Sequence, residues 1–510
     1  MKRRHAPRAD HGPVGSPDDA AQPASQWPAA RDWLRPSEPF LLPMLLLLGT
    51  RALLWATIPV AAEDAYITFR YAKNLAIGNG LLYNPGEHVM GFTSPLWTIW
   101  NALGWRLTAS PVEWSRFWAV AGDALTLVLG AGLLRRHAGR AAGWCFAWFF
   151  AGWPFFAAAA VSGMETSAML TLLLLAAVLA ERRSRWAGPA LAALALMRPE
   201  GLAAAAIIAL GAGWRDRAMA AGLVALGVGA LWWYYGSPIP NSMLAKARIY
   251  GHPGPLASRF WWDWLVPFPI RGAPALSEGV HLFLLSVLMA PAVAMGAPVV
   301  WRLRRSALGL AASAALAVWA GYALLGVAFF FWYLVVPLGG MLMMAAAGLP
   351  RLVKGRAIYV SVAAYVIGIW GIGFKLYVGR AKLESETFGA VASYLAEQAR
   401  AGEKVMLEPI GLIGFRNPLV VVDEVGLVSP EVARRRAQGP GWYTDVVVVE
   451  RPEWLVVRRA LLTRGAAFAG RWAPMRNTAE IDSLKAHYPI VRTVAPNSGD
   501  QALLVLRRAR

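Results

Sequence analysis

Two adjacent carboxylates, Glu63 and Asp64, stand where the first apolar run of this chain ends. Side by side, two such groups raise one another's proton affinity, which suits a group that must take up a proton. Two basic residues, Arg70 and Lys73, come next. Turn-forming stretches then follow: Gly78-Asn79-Gly80, Tyr83-Asn84-Pro85-Gly86-Glu87-His88 and Gly91-Phe92-Thr93-Ser94-Pro95. Gly, Asn and Pro build tight turns, so this loop should fold back compactly, and loops held on a rigid scaffold are where function concentrates. Further along, Glu165 ends the short turn that starts at Ser162. Arg198 and Glu200 flank Pro199 between two short apolar runs, and Asn241 and Lys246 follow Tyr235-Gly236. Each has a bland alternative. An acid pair can merely flank a helix, Arg198 and Glu200 can pair with each other, and Lys246 can snorkel. Arg70 and Lys73 can face solvent, Glu165 can sit at a helix N-terminus favoured by the dipole, and a lone exposed His88 can do nothing. Charged groups at a membrane edge are nevertheless functional candidates by default.

The elements that must position these residues are membrane spans. Of 510 residues, 57% are hydrophobic and only 16% charged, against about 25% charged in a soluble domain. The 25 Trp suit interfacial belts. The net charge of +20 does not point to nucleic acid, because the Lys and Arg fall in short loops between apolar runs, the positive-inside pattern. A single cysteine, Cys145, excludes an intrachain disulfide. Apolar runs at 39–60, 116–135, 141–161, 165–181, 187–198, 200–213, 218–235, 277–300, 307–325, 327–348 and 357–378 predict about eleven spans, with 187–198 and 200–213 as half-length helices around Arg198-Pro199-Glu200. The Trp-rich segment 94–108 reads as an interfacial helix. Residues 1–35, rich in Pro, Ala and Arg, read as a disordered cytoplasmic tail. Residues 36–379 form the transmembrane domain, with loop 61–115 outside. Residues 380–510 change character and read as a small extracytoplasmic α/β domain with β-prone stretches at Leu419–Val422, Val446–Val449, Leu455–Val457 and Leu503–Leu506 and a helix over 385–400. The fold class is thus mainly α, a polytopic helical bundle with a small C-terminal α/β domain.

The loop stretch Glu63-Asp64-Ala65-Tyr66-Ile67-Thr68-Phe69-Arg70-Tyr71-Ala72, with its Asn84-Pro85-Gly86-Glu87 and Ser94-Pro95-Leu96-Trp97, resembles the first periplasmic loop of the GT-C glycosyltransferases. More narrowly it is similar to the actinobacterial arabinofuranosyltransferases that use a polyprenyl-phosphate arabinose. Further matches run in order: Ser162-Gly163-Met164-Glu165-Thr166, Arg198-Pro199-Glu200-Gly201, Pro240-Asn241-Ser242 with Ala245-Lys246, Gly411-Leu412-Ile413-Gly414-Phe415 and Asp423-Glu424-Val425-Gly426-Leu427. The first acid departs from the usual Asp-Asp pair, which makes the second the safer catalytic assignment. The resemblance implies a single inverting displacement on a polyprenyl-phosphate sugar, best read as arabinofuranose, with an envelope glycan as acceptor. It implies Asp64 as the base and Glu63 as its positioning or tuning partner. Lys246, Arg198 and Arg70 would meet the departing phosphate, and Glu165, Glu200, Asn241 and His88 would lie around the substrate. The residue composition fits a bacterium with a GC-rich genome, which would place the chain in an inner membrane with its N-terminus in the cytoplasm.

Phe329-Phe330-Phe331-Trp332-Tyr333 is either an interfacial belt or the wall of a sugar or lipid pocket. No metal is expected, although acids alone can hold a divalent cation through oxygen ligands. The C-terminal domain would cover the site or hold a polymeric acceptor, with Asp423, Glu424 and Trp442 as contacts. Two rival readings share these features. A flippase that carries a lipid-linked sugar without reacting it would need the groove and the cations but not an acid at the end of the first span. A structural subunit of an envelope complex would tolerate a change at Asp64.

Overall fold

The structure is a computed structural model and describes residues 40–250, 276–325, 327, 330–494 and 502–509. The proposed tail, Phe329 and much of the connection 236–276 lie outside these residues. The apolar runs become helices, which Pro and Gly often bound and in places interrupt: α1 (Leu41–Thr57), α2 (Glu63–Ala76), α3 (Pro95–Thr108), α4 (Pro111–Ala138), α5 (Arg140–Gly152), α6 (Pro154–Val161), α7 (Thr166–Glu181), α8 (Ala187–Met197), α9 (Pro199–Ala209), α10 (Trp214–Tyr235), α11 (Asn241–Tyr250), α12 (Leu276–Arg302, with Pro291 and Pro298 inside it), α13 (Ala307–Leu324), α14 (Val335–Leu352) and α15 (Arg356–Glu384). Among the described residues five helices are long and apolar enough to cross a bilayer, six if the bent pair α5–α6 counts as one, and α1, α7, α8 and α9 are shorter apolar helices. Leu42, Leu45, Trp233 and Ile367 lie exposed on these helices, and no residue of α10 is buried. Such surfaces need lipid around them. The chain is a multi-pass membrane protein.

The expected single span over 141–161 is bent by 56° between α5 and α6. Pro154 cannot donate to the helical ladder, so the carbonyls before it need other partners. Arg51 supplies them from α1, donating from Nη1 to Ala151 at 2.7 Å and from Nη2 to Phe150 at 3.2 Å, while its Nε binds Asp123 of α4 at 3.0 Å. Thr50 adds a bond to the Ala151 carbonyl at 3.1 Å. The break is therefore satisfied by a buried ion pair that ties three helices together.

Beyond α15, a helix α16 (Ala390–Gln398) leads into a five-stranded sheet. Its strands are β1 (Lys404–Leu407), β2 (Val420–Asp423), β3 (Trp454–Arg458), β4 (Ile490–Val494) and β5 (Leu503–Arg507), in the order β2-β1-β3-β5-β4. β1 pairs in parallel with β2 and β3, whereas β5 is antiparallel to β3 and β4. Between strands lie α17 (Gly411–Arg416), α18 (Pro430–Gln438), α19 (Trp442–Glu450), the single turn α20 (Arg464–Ala467) and α21 (Thr478–His487). The Val446–Val449 stretch, expected as strand, is helical within α19. Val446 and Val447 pack beside Met406 and Leu455 of the sheet, a case of burial overriding β-propensity.

Candidate active site

α2 begins at Glu63 because the backbone turns at Ala62, whose N–H bonds the carbonyl of Ser162 at 2.8 Å. Two acids in its first turn suit the positive end of the helix. The turn aims Asp64 into a cleft shared with the α7 entry, the α8–α9 joint, α11 and the segment before α14. Asp64, Glu165, Arg198, Lys246, Trp332 and Tyr333 line it, and its enclosed part measures about 40 Å³. Four of the expected site residues thus come together in one place.

Lys246 Nζ lies 3.5 Å from Asp64 Oδ2, with the side chains 22% and 28% exposed. The ammonium also sits 4.7 Å from the centre of the Phe330 ring, a position favoured by the ring quadrupole. Arg198 is only 4% exposed and is already paired: it donates from Nη1 to Glu165 and from Nε to Glu200, and its guanidinium faces the Tyr333 ring at 4.9 Å. Tyr322 donates its hydroxyl to Glu200 and stacks on Tyr333 at 5.2 Å. Two carboxylates against one guanidinium leave this group with no positive charge to spare, so the cation that faces Asp64 is Lys246.

Of the remaining expected site residues, Glu63, Arg70 and Asn241 hold parts of the molecule together. Glu63 accepts bonds from the backbone N–H groups of Gly411 and Leu412, the latter at 3.0 Å. Burial pushes its carboxyl up to about 8, against the lowering effect of those bonds. Arg70, 5% exposed, spends its donors on the carbonyls of Tyr83 (2.9 Å), Gly414 (2.6 Å) and Leu419 (2.6 Å) and on Asn84 Oδ1 (3.3 Å). Four of its five N–H donors are thus committed within the fold. Asn241 donates to the carbonyls of Gly426 and Leu427, both at 2.8 Å. His88 is exposed and lies against Tyr234, 5.1 Å between ring centres. Lys73 is half-buried over Trp105 and Phe415 at 5.4 and 5.6 Å, and burial lowers its ammonium. The glycines of the Gly411-Leu412-Ile413-Gly414 stretch are explained by close approach. A Cβ on Gly411 would collide with the Glu63 backbone, and one on Gly414 with the Tyr83 hydroxyl.

Sequence reasoning missed Tyr322, which lies in the middle of an apolar run with no charged neighbour to mark it. It also missed Ser242 as a hydroxyl: the side chain is buried in the cleft wall and its oxygen has no partner. Glu384, at the end of α15, approaches closely enough to repel both Glu63 and Asp64, and only its fixed place in the fold reveals that. Among the described residues no group of three or more His, Cys, Asp or Glu is arranged to hold a metal.

Solved structures similar to this chain are membrane glycosyltransferases. ArnT from Cupriavidus metallidurans bound to undecaprenyl phosphate superposes with a TM-score of 0.59 at 13% identity, over 94% of this chain and 98% of that one. The Archaeoglobus fulgidus oligosaccharyltransferase tethered to an acceptor peptide gives 0.52 at 11% identity, over 92% and 74%. The fold is that of the GT-C glycosyltransferases. A mycobacterial arabinofuranosyltransferase, AftD, aligns over 92% of this chain and 40% of its own at 14% identity and a TM-score of 0.45, an overlap that carries nothing about the sugar. A sequence family described only as a domain of unknown function (DUF8728) matches residues 377–505, the sheet-bearing part of this GT-C fold. No curated protein matches the chain by sequence.

Proposed function

We propose that this protein is a glycosyltransferase that moves a sugar, best read as arabinofuranose, from a polyprenyl-phosphate donor to an envelope glycan, with inversion and by a single displacement. The observation that carries the reading is the ion pair of Asp64 and Lys246 in one cleft at the end of the first apolar helix. Asp64 accepts the proton of the attacking hydroxyl, a role that needs an oxygen within about 2.6–3.2 Å of it. Lys246 stabilises the charge that grows on the departing phosphate. Its present contact with Asp64 holds both groups in place and opens as a donor enters. Trp332 and Tyr333 wall the cleft on the side of the sugar. An apolar groove of about 480 Å³ between α8, α9 and α10, lined by Leu191, Ala195, Leu202, Val224 and Val228, suits the polyprenyl tail, which gains about 0.8 kcal/mol for each CH₂ it buries.

The reading extends to topology: eleven crossings of a bacterial inner membrane, the N-terminus cytoplasmic, and loop 61–115 with the domain of residues 380–510 outside. It requires no metal. The test is transfer by purified protein from synthetic polyprenyl-phosphate arabinofuranose, mannose and aminoarabinose to a panel of glycan acceptors. Turnover with an inverted anomeric centre is expected from one donor. Tight lipid binding without turnover from any donor would favour a flippase instead.

A further inference from the structure

α11 enters the cleft with its N-terminus. Pro240 precedes it, so no side-chain oxygen caps the helix. The start is pinned from two sides. The Asn241 N–H bonds the Met90 carbonyl at 2.8 Å, and its side-chain amide bonds the carbonyls of Gly426 and Leu427. Of the other amides in this first turn, those of Met243 and Leu244 turn back to the Pro240 carbonyl at 3.0 and 3.4 Å. Among the described residues the N–H of Ser242 has no acceptor. The first amides of a helix find no acceptor within it, and they carry the positive end of its dipole.

The side chain of Ser242 is open in the same way. It lines the cleft together with Asp64 and Lys246, the residue is only 3% exposed, and its Oγ has no hydrogen-bond partner. A serine inside a helix commonly bonds the carbonyl four residues back. Four residues back from Ser242 is Pro238, which lies outside the helix. Unpaired polar atoms in a native interior are few, and each calls for a reason. Here the reason lies one turn along: Lys246 follows at i+4 on the same helix face, which puts the two Cβ atoms about 5–6 Å apart. A buried hydroxyl, an open N–H at a helix N-terminus and an ammonium on the same face all donate, and together they suit the oxygens of a phosphate. A sugar hydroxyl would satisfy the Oγ but gain nothing from the positive helix end.

We propose that Ser242 grips the phosphate of the polyprenyl donor through its Oγ and N–H, beside Lys246. Resting on the transferase reading, this makes Ser242 a donor-binding residue. One phosphate oxygen takes the two Ser242 donors and a second takes Lys246 Nζ, which lies 3.5 Å from Asp64 Oδ2. The ammonium thus stands between the two anions, base and phosphate. In the transfer the acceptor oxygen bonds the anomeric carbon and its proton passes to Asp64. The electron pair of the broken carbon–oxygen bond stays on the phosphate, where Ser242 and Lys246 meet the added charge. Because α11 is pinned at Asn241, these donors are in place before the charge develops.

The test is binding to the full-length protein in detergent, with undecaprenyl phosphate and undecaprenol as separate ligands. Ser242→Ala should bind undecaprenyl phosphate at least about tenfold more weakly, the cost of one hydrogen bond to a charged group. Ser242→Thr keeps the hydroxyl and should bind as wild type does. Undecaprenol affinity and melting temperature should be the same in all three proteins. Unchanged undecaprenyl phosphate affinity in Ser242→Ala overturns the proposal. So does an equal loss for undecaprenol, which would make Ser242 a wall against the tail. Slower sugar transfer by Ser242→Ala with undecaprenyl phosphate affinity kept would assign the Oγ to the sugar and overturn it as well. Undecaprenyl phosphate binding that follows the hydroxyl, without transfer from any donor, leaves this site standing and removes the transferase. Transfer by a protein whose lipid binding ignores Ser242 does the reverse.

Discussion

At the residue scale, the proposed function separates charges that act from charges that hold. Lys246 faces Asp64 across 3.5 Å, whereas Arg198 is neutralised by Glu165 and Glu200. Replacing Lys246 with Met should lower turnover about 10²–10³-fold, the usual cost of one group that stabilises developing charge. Lys246→Arg should recover part of that, because the charge is kept and its geometry is not. Arg70 predicts the opposite pattern. Arg70→Ala removes the donor to the Gly414 and Leu419 carbonyls and one of two donors to that of Tyr83, so it should destabilise the protein by about 3–5 kcal/mol and leave a well-folded remainder active. Chemical denaturation alongside a turnover assay separates the two effects. Glu63 carries a pH signature. The unfolded chain ionises it near 4.5 and the folded chain only at about 8. Between those values the folded state holds the extra proton, and stability falls as pH rises. Melting temperatures from pH 5 to 8 should show this decline, and Glu63→Gln should flatten it.

At the scale of elements, the break between α5 and α6 depends on Arg51 and Asp123, both buried within the helical bundle. Removing one partner of a buried pair leaves the other uncompensated, which costs about 3–5 kcal/mol. Asp123→Leu should therefore unfold the bundle more readily than the double change Arg51→Met with Asp123→Leu, as measured by thermal unfolding in detergent. How far such features could be read in advance follows from the range over which they act. Helix positions were legible because apolar runs and their bounding Pro, Gly and Arg are local. The half-length helices around Pro199 were legible for the same reason. The bend at Pro154 was not, because apolar residues on both sides hide it. Val446–Val449 was misread as a strand because its β-branched residues are equally at home on a buried helix face. The residues of the cleft were legible as a set of types, but their roles were not. Arg70 is a clamp only because Leu419, 349 positions away, comes to meet it, and nothing around Arg70 in the chain announces that.

At the scale of the whole molecule, the loop after α1 and the C-terminal sheet act as one body. Glu63, Arg70, Tyr83, Asn84 and Asn241 all bond backbone groups of residues 410–427. Asp64, the proposed base, is thereby carried on a segment braced by these bonds, which is the kind of support that holds a reacting group to within a fraction of an ångström. The Gly411–Gly414 and Asp423–Leu427 stretches are the other half of this joint. The central claim is that Asp64 is the base of a sugar transfer at this joint. Its most direct test is the single-turnover rate of Asp64→Asn, measured with saturating polyprenyl-phosphate sugar and compared with wild type. The account predicts a loss of at least about 10²-fold with donor affinity and melting temperature unchanged. A rate within a few-fold of wild type would contradict it.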